Sequence, residues 1–419
     1  MFERHRLDNG LRILTANLPY AQSVTCMIML AAGSRYETPD TSGIAHFSEH
    51  MFFKGTERRP NARAIAGEID SIGGEFNAFT SKESTAYYVK CAAEHRDIAL
   101  DVLVDMLRHS KFDSGEIERE KGVIVEEMNM YFDTPRDYIG GVYDELLYGN
   151  QPLGWEIIGR KETVRAATRD TFLSYLGHWY HPERMVVGLA GKIGDDAVER
   201  IASLLGDMPA APTGTPEPAR PNANGRVKVF TKQSDQAHVI LGVPSYPLDH
   251  PDRYALQMLS TVLGSGMSSR LFLEVRERRG LAYYVFGTNQ SYLEAGSLFA
   301  QAGVDIKRVD EAVKVVVEQF HRIADDPVPD DELEKARSLA KGRFVLNTES
   351  PQGLILFGLR REVLEGEAME PAEMLAKLDE VTAEDIQRVA RDLIATDKLN
   401  LAVIGPFEDE DDRFRALLS

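Results

Sequence analysis

Two histidines and a glutamate lie within one five-residue segment, His46-Phe47-Ser48-Glu49-His50. On a helix, positions four apart lie about 40° from each other around the axis, so His46 and His50 would share a face. Glu49 would lie about 60° to the other side of His46. Neutral imidazoles suit Zn²⁺, and a neighbouring carboxylate can accept a proton from water at the metal. The segment therefore predicts a catalytic zinc site with Glu49 as general base; the alternative is a solvated helix face.

The segment resembles the inverted zinc signature of the inverzincins, the pitrilysin family of metallopeptidases. The resemblance implies a third ligand, for which Glu127 has the family's spacing, with 76 residues between it and His50. It also implies a second acid seven residues before that ligand, where this chain has Glu120. Both lie in a predicted helix, Glu118–Met128, two turns apart on one face. We expect Glu127 to bind zinc, Glu120 to act as a second acid that orients the site, and Glu126 to point elsewhere.

Two further segments carry the resemblance. Gly73–Thr80 is similar to the family's active-site edge strand, to which a substrate peptide adds through backbone hydrogen bonds. This implies substrate contacts from Asn77 and Ala78, although a plain hairpin edge is the alternative. In the second segment, Arg276–Tyr283, the resemblance implies that Arg276 and Tyr283 correspond to a pair of the family that faces the zinc. That pair stabilises the substrate carbonyl or the developing oxyanion. The alternative for that pair is an ordinary helix end with the tyrosine in the core.

The strands and helices that are predicted around these residues indicate an α+β fold. Asn9-Gly10 is typical of a hairpin turn. Further along the chain, strand-type residues run from Ala78 to Tyr88 as one segment. Cys26 and Cys91 are expected to be buried free thiols. Strands and helices grouped in this way predict, for each domain, an antiparallel sheet covered by helices on one face. The other predicted strands are 11–15 and 24–31, and the other predicted helices are 44–53, 62–72 and 98–107.

The chain is expected to contain two homologous domains. Five prolines in the stretch Met208–Pro221 indicate a linker, which gives domains at 1–207 and 226–419 and a linker at 208–225. Thr168 precedes Gly191 by 23 residues, and Thr382 precedes Gly405 by the same number. Each threonine is a plausible helix cap. These matched spacings are typical of a duplicated gene.

The second copy lacks the predicted metal ligands. Alignment of Glu116 with Glu332 places Ala336 opposite Glu120 and Arg343 opposite Glu127, and this half has no His-x-x-Glu-His segment. We expect one zinc ion per chain, bound by the first copy alone. The Gly-x-Gly turn at 264–266 lacks the complete fingerprint and the lysine of a phosphate-binding loop.

The charge and hydropathy of the chain narrow the choice of partners. A net charge of −18 argues against nucleic acid, which requires a basic footprint. The longest apolar run, Val24–Ala32, is too short to cross a bilayer. No apolar signal core follows Met1–Arg6, so we expect a cytoplasmic protein without a membrane partner.

At this length the chain is similar to the bacterial processing-protease branch, close to the catalytic subunit of mitochondrial processing peptidase. The resemblance implies a zinc endopeptidase that cleaves short or unfolded peptides inside a chamber closed by the second copy. It also implies a homodimer or a heterodimer with a related subunit, and leaves open whether Arg276 and Tyr283 act in cis or in trans. A non-catalytic partner subunit and a zinc hydrolase of non-peptide amides are the alternatives. The sequence does not specify the physiological substrate or the cleavage preference.

Overall fold

A computed structural model of the protein describes residues 1–211, 214–220, 222 and 226–418. The predicted linker 208–225 lies partly outside the described residues, at positions 212, 213, 221 and 223–225. In the described part of the chain, no helix has both the length and the apolar character needed to cross a membrane.

The described chain alternates between short groups of strands and longer groups of helices. The strands are β1 Glu3–Arg6, β2 Arg12–Asn17, β3 Ser23–Leu30, β4 Glu75–Thr80, β5 Thr85–Ala92, β6 Met185–Gly191, β7 Val227–Thr231, β8 Ala237–Ser245, β9 Ala282–Ser291, β10 Gly296–Val304 and β11 Asn400–Gly405. The α-helices are α1 Ile44–Phe52, α2 Ala62–Ser71, α3 Arg96–His109, α4 Ser114–Phe132, α5 Pro135–Tyr148, α6 Lys161–Ala166, α7 Arg169–Trp179, α8 Ala197–Leu205, α9 Arg253–Gly264, α10 Val309–Asp325, α11 Asp330–Thr348, α12 Pro351–Leu364, α13 Pro371–Glu380, α14 Ala383–Leu393 and α15 Asp411–Ala416.

Two compact units divide the chain, and neither is continuous in sequence. The first unit comprises Met1–Met128, Glu156–Glu217 and Val345–Pro371. The second comprises Asn129–Trp155, Pro218–Phe344 and Ala372–Ser419. Helix α5 therefore belongs to the second unit and α12 to the first. The boundaries at 207 and 226 remain a prediction of where one repeat ends and the next begins, whereas the compact units follow packing.

The sheets of the two units share a topology, except that the first has an additional edge strand, β1. The first has the strand order β1-β2-β6-β3-β5-β4, and the second has the order β7-β11-β8-β10-β9. Neighbouring strands are antiparallel except for β2 with β6 and β7 with β11, which are parallel. Parallel pairing is possible there because a long helical segment separates the two strands of each pair. The fold is thus α+β with mixed sheets, where purely antiparallel sheets were predicted.

The first sheet is buried on both faces. Because side chains alternate along a strand, Cys26 and Ile28 of β3 point into the core formed with α1, α3, α7 and α8. Met27 and Met29 point into a second core, which contains Ile355 and other apolar residues of α12. Helices of the first half cover one face as predicted. The other face is covered by α12, which the prediction of a single covered face did not include.

Local signals in the sequence explain several element boundaries. The predicted hairpin turn joins β1 to β2, with Gly10 at a φ of 89° and Asn9 Oδ1 accepting a hydrogen bond from the Leu11 amide. Thr382 caps α14, since its hydroxyl accepts from the Asp385 amide. The strand-type stretch from Ala78 to Tyr88 is two strands, because Ser81–Ser84 forms a turn between β4 and β5. Cys26 and Cys91 are buried free thiols, as predicted.

Candidate metal centre

Helix α1 carries two predicted zinc ligands and the predicted general base on its less buried side. Phe47 and Met51 pack into the core, whereas His46, Glu49 and His50 are partly exposed. The helix follows Gly43, whose φ is 93°. The amide of Gly43 and that of Ala45 each donate to the carboxylate of buried Glu37 at 2.8 Å. A carboxyl group at this position satisfies free amides at the start of the helix.

The three predicted ligands converge. One ligand atom from each of His46, His50 and Glu127 lies within 4.8 Å of the others. His46 Nε2 is 3.7 Å from Glu127 Oε1, and His50 Nε2 is 3.6 Å from Glu127 Oε2. Helix α4 supplies Glu127, and the adjacent Glu126 is exposed. The structure thus brings together the residues that the sequence selected, with both imidazoles directed at one carboxylate.

Glu120 is hydrogen-bonded to Nδ1 of His50. Its Oε1 atom is 2.9 Å from His50 Nδ1, and its Oε2 atom is 2.5 Å from the ammonium of Lys54. Burial alone would raise the pKa of this carboxyl, but hydrogen bonds from His50 and Lys54 outweigh burial and lower the pKa below its ordinary value. A carboxylate that accepts from Nδ1 directs Nε2 of the same ring towards the cluster.

His46 has a different environment. Burial, with a smaller contribution from the neighbouring His50, lowers the pKa of His46 to about 3. The ring is therefore neutral near pH 7, which is the form that binds metals. Its Nδ1 atom is buried and has no hydrogen-bond partner among the described residues.

Glu49 lies beside this cluster and contacts β4. Thr80 Oγ1 donates to Glu49 Oε2 at 2.5 Å. Burial raises the pKa of Glu49, and the hydrogen bond from Thr80 partly offsets that increase. A carboxylate with a raised pKa is better matched to proton transfer near neutral pH.

Asn77 and Ala78 lie in β4, the last strand of the first sheet. Among the described strands, β4 pairs with β5 alone, so its other side is open. The amide of Ala78 donates to Asn77 Oδ1 at 2.9 Å. The strand is thus an edge strand, as the sequence predicted.

Arg276 and Tyr283 lie together in the second unit. Arg276 belongs to a π-helical segment, Phe272–Glu277, and its Nη1 donates to the Tyr283 carbonyl at 2.6 Å. The guanidinium lies 5.6 Å from the centre of the Tyr283 ring. Tyr283 is 72% exposed, so it is not a core residue.

Comparisons with known proteins identify the family. A family model described as "Insulinase (Peptidase family M16)" matches residues 12–161, and one described as "Peptidase M16 inactive domain" matches residues 166–339. A protein of Bacillus subtilis named "Uncharacterized zinc protease YmxG" is 37% identical and is matched over 97% of this chain and 98% of its own. The chain belongs to peptidase family M16. A zinc protease of Streptomyces coelicolor is 36% identical over 97% of this chain and 90% of its own.

Solved structures share the fold of this M16 chain. A protease from Helicobacter pylori superposes with a TM-score of 0.89 at 22% identity, over 97% of this chain and 99% of that one. A structure titled as a peptidase M16 inactive domain, from Pseudomonas fluorescens, has a TM-score of 0.88 at 19% identity, over 97% and 98% of the two chains.

Family membership makes the protein a zinc metallopeptidase, and the cluster fits zinc. Two imidazole nitrogens and one carboxylate form an established catalytic zinc set that leaves a position open. Ligand atoms about 2.1 Å from a tetrahedral zinc ion lie roughly 3.4 Å apart. The shortest distances to Glu127 are close to that value, at 3.7 Å from His46 Nε2 to Oε1 and 3.6 Å from His50 Nε2 to Oε2, and they involve different oxygens of one carboxylate.

Within its described residues, the second half has no equivalent cluster. No other group of three histidine, cysteine or acidic side chains in the described ranges could hold a metal. Ala336 is buried in α11, where the aligned position of the first half has Glu120. This agrees with the family model for that half, which is described as inactive.

Sequence reasoning missed Lys54 and Thr80. Lys54 follows His50 by four residues, and this spacing could have suggested a shared partner. Thr80 follows Ala78 by two residues on the same strand, and alternation could have placed it on the same face. Neither signal identifies the acidic group that these side chains contact.

Proposed function

We propose that this M16 zinc protease is an endopeptidase in which Glu49 activates the attacking water. The observation that carries the proposal is the convergence of His46, His50 and Glu127 beside Glu49. These groups have the chemistry of a three-ligand zinc site with an adjacent general base.

The roles of the protein groups follow from their contacts. A bound zinc ion supplies Lewis acidity, which polarises a carbonyl and makes water more acidic. Glu49 accepts the proton of the attacking water at Oε1 and returns it to the leaving amine. Glu120 holds His50 through Nδ1 and thereby fixes the orientation of a ligand.

The open side of β4 is the proposed binding site of the substrate backbone. A peptide in extended form would add to β4 beside Asn77 and Ala78, with backbone hydrogen bonds that do not depend on side chains. The Ala78 amide would exchange its present bond to Asn77 Oδ1 for one to the substrate.

The proposed substrates are short or unfolded peptides admitted to a chamber that the inactive second copy closes. The absence of a second metal cluster in the described residues supports a role other than catalysis for that copy. Incubation with a compact folded protein and with the same protein after reduction and unfolding should give cleavage of the unfolded form only. Rapid cleavage of the folded form would contradict the chamber.

The proposed chemistry is tested by wild type and Glu49→Gln with a quenched peptide library. Wild type should hold about one zinc per chain and cleave internal bonds. Glu49→Gln should retain zinc but lose activity by at least about 100-fold, since proton transfer is lost. Wild type that binds zinc without cleaving any peptide would instead favour the alternatives: a non-catalytic partner subunit, which the neighbour titled as an inactive domain leaves open, or a zinc hydrolase of non-peptide amides.

We further propose that two chains pair as a homodimer or a heterodimer, as in processing peptidases, and that Arg276 and Tyr283 assist the oxyanion. Mixed Glu49→Gln and Tyr283→Phe chains test whether this assistance is in trans. Recovered cleavage would show trans action, and no recovery would favour cis action. The cytoplasmic location remains a prediction, which fractionation of cells would test.

A further inference from the structure

The contact between Thr80 and Glu49 joins two elements that the proposed mechanism treats separately. Glu49 lies on α1, the helix of the metal ligands, and Thr80 ends β4, the proposed substrate strand. Their oxygen atoms are 2.5 Å apart. Among the described residues, this is the single hydrogen bond to the Glu49 carboxylate, and it engages Oε2 only. Oε1 is left to accept a proton.

Thr80 is held by a fixed turn. Ser81 and Ser84 are joined by a backbone hydrogen bond of 2.8 Å, and the Ser81 hydroxyl accepts from the Ser84 amide at 3.0 Å. The amides of Ser34 and Arg35 also hold this turn, since they donate to the carbonyls of Ser81 and Lys82. A buried ion pair between Arg35 and Glu83 adds to this support.

Backbone proximity at Gly33 reinforces the same connection. A Cβ atom at this glycine would lie 2.2 Å from the Ser81 carbonyl oxygen. The two segments thus approach too closely for any residue other than glycine, so the turn packs directly against the backbone that follows β3. Thr80 therefore directly precedes a turn that backbone hydrogen bonds hold in place.

We infer that Thr80 is a positioning residue, whose hydroxyl orients the Glu49 carboxylate so that Oε1 meets the attacking water. A carboxylate on a glutamate side chain rotates freely unless one oxygen is held, and misplacement of a reacting group reduces the rate steeply. Thr80 also shares β4 with Asn77 and Ala78, so one strand positions both the substrate and the base. The inference depends on the proposed role of Glu49.

The test compares Thr80→Val, which has nearly the same shape without a hydroxyl, with Thr80→Ser, which keeps the hydroxyl. Thr80→Val should lower kcat by about 10- to 100-fold with KM changed less than about threefold. Thr80→Ser should recover most of kcat. Zinc affinity, measured by chelator competition, and the melting temperature should match wild type in both variants. Thr80→Ala, a second variant without the hydroxyl, should behave as Thr80→Val.

A Glu49→Asp background separates positioning from a structural role. The shorter aspartate cannot reach Thr80, so adding Thr80→Val should lower the remaining kcat by less than about twofold. Wild-type kcat in Thr80→Val, or equal losses in Thr80→Ser and Thr80→Val, would overturn the inference, as would zinc loss in step with activity. If wild type itself cleaves no peptide, the proposed function fails instead. If Glu49→Gln is inactive while the Thr80 variants keep wild-type kcat, the proposed function stands and this inference fails.

Discussion

At the scale of single residues, the choice between two adjacent glutamates is the sharpest test of the metal site. Glu127 lies opposite both imidazole Nε2 atoms, whereas Glu126 is exposed on another side of α4. Glu127→Gln should weaken zinc binding by at least about 100-fold, because an amide is a poor zinc ligand. Competition with a chromophoric chelator measures this affinity.

Glu126→Gln is the matched control, since it removes the same charge from the same helix. It should bind zinc as wild type does. Equal weakening in both variants would mean that net charge, and not coordination, sets the affinity.

Residue types together with the family resemblance predicted the convergent trio and the second acid, but not their other partners. His46, His50 and Glu127 follow from helix geometry and from the family spacing. Thr80 and Glu49 are 31 residues apart, on a strand and a helix whose relative placement depends on packing of the whole sheet. No local pattern specifies such a contact, so the Thr80 hydroxyl beside the proposed base could be identified only from the structure.

At the scale of elements, the helices predicted at 44–53, 62–72 and 98–107 and the strands predicted at 11–15 and 24–31 lie within a few residues of the observed ones, whereas α5, α6 and α8 were not predicted. The turn at Ser81–Ser84 was missed because it lacks the Gly, Pro, Asn or Asp residues that mark turns most strongly, and its two serines are a weaker signal. The cap of α1 was also hidden. Ordinary caps immediately precede a helix, whereas Glu37 lies seven residues before Ile44 and reaches it through a loop.

Glu37 leads to a prediction about pH and stability. Burial raises the pKa of this carboxyl to about 8, against the opposing effect of the two amide donors. In the unfolded chain the pKa would be about 4.3. Between these values the folded state keeps a proton that the unfolded state has lost, so stability should fall as pH rises from about 5 to about 8.

Thermal unfolding of zinc-free wild type and Glu37→Gln across this range isolates the effect. The difference in melting temperature, wild type minus variant, should shrink by at least about 2 °C between pH 5 and pH 8, because the variant has no carboxyl to titrate. Other groups titrate in both proteins and cancel in the difference. A difference that is constant with pH, or that grows, would contradict the raised pKa.

At the scale of the whole molecule, the sequence halves and the compact units differ. Helix α12 comes from the second half but covers the first sheet, where Gly188 of β6 leaves room for it. A Cβ atom at Gly188 would lie 2.6 Å from Leu359 and 2.7 Å from Ile355. The repeat and the proline-rich stretch indicated two halves, but hydropathy alone does not show which sheet an apolar helix covers.

This packing predicts that the first half is not an independent folding unit. A protein of residues 1–217 lacks α12 and would expose the apolar face formed by Leu14, Met27, Met29, Val186 and Ala190. An uncovered face of this kind promotes association. We expect the fragment to aggregate in size-exclusion chromatography, to bind a hydrophobic dye and to unfold without a cooperative transition.

The matched control restores the missing cover. Residues 345–371, the remaining segment of the first unit, are joined to 1–217 through a flexible Gly/Ser linker. Because α12 can then bury the same apolar face, while α5 lacks its second-unit partners in both proteins, the linked protein should give less aggregation, less dye binding and a more cooperative melt than 1–217. Replacing Leu359 by Asp in the linked protein should remove the benefit, since a buried charge in that core has no partner. A monomeric, cooperatively folded 1–217 fragment would instead mean that the first sheet needs no helix from the second half.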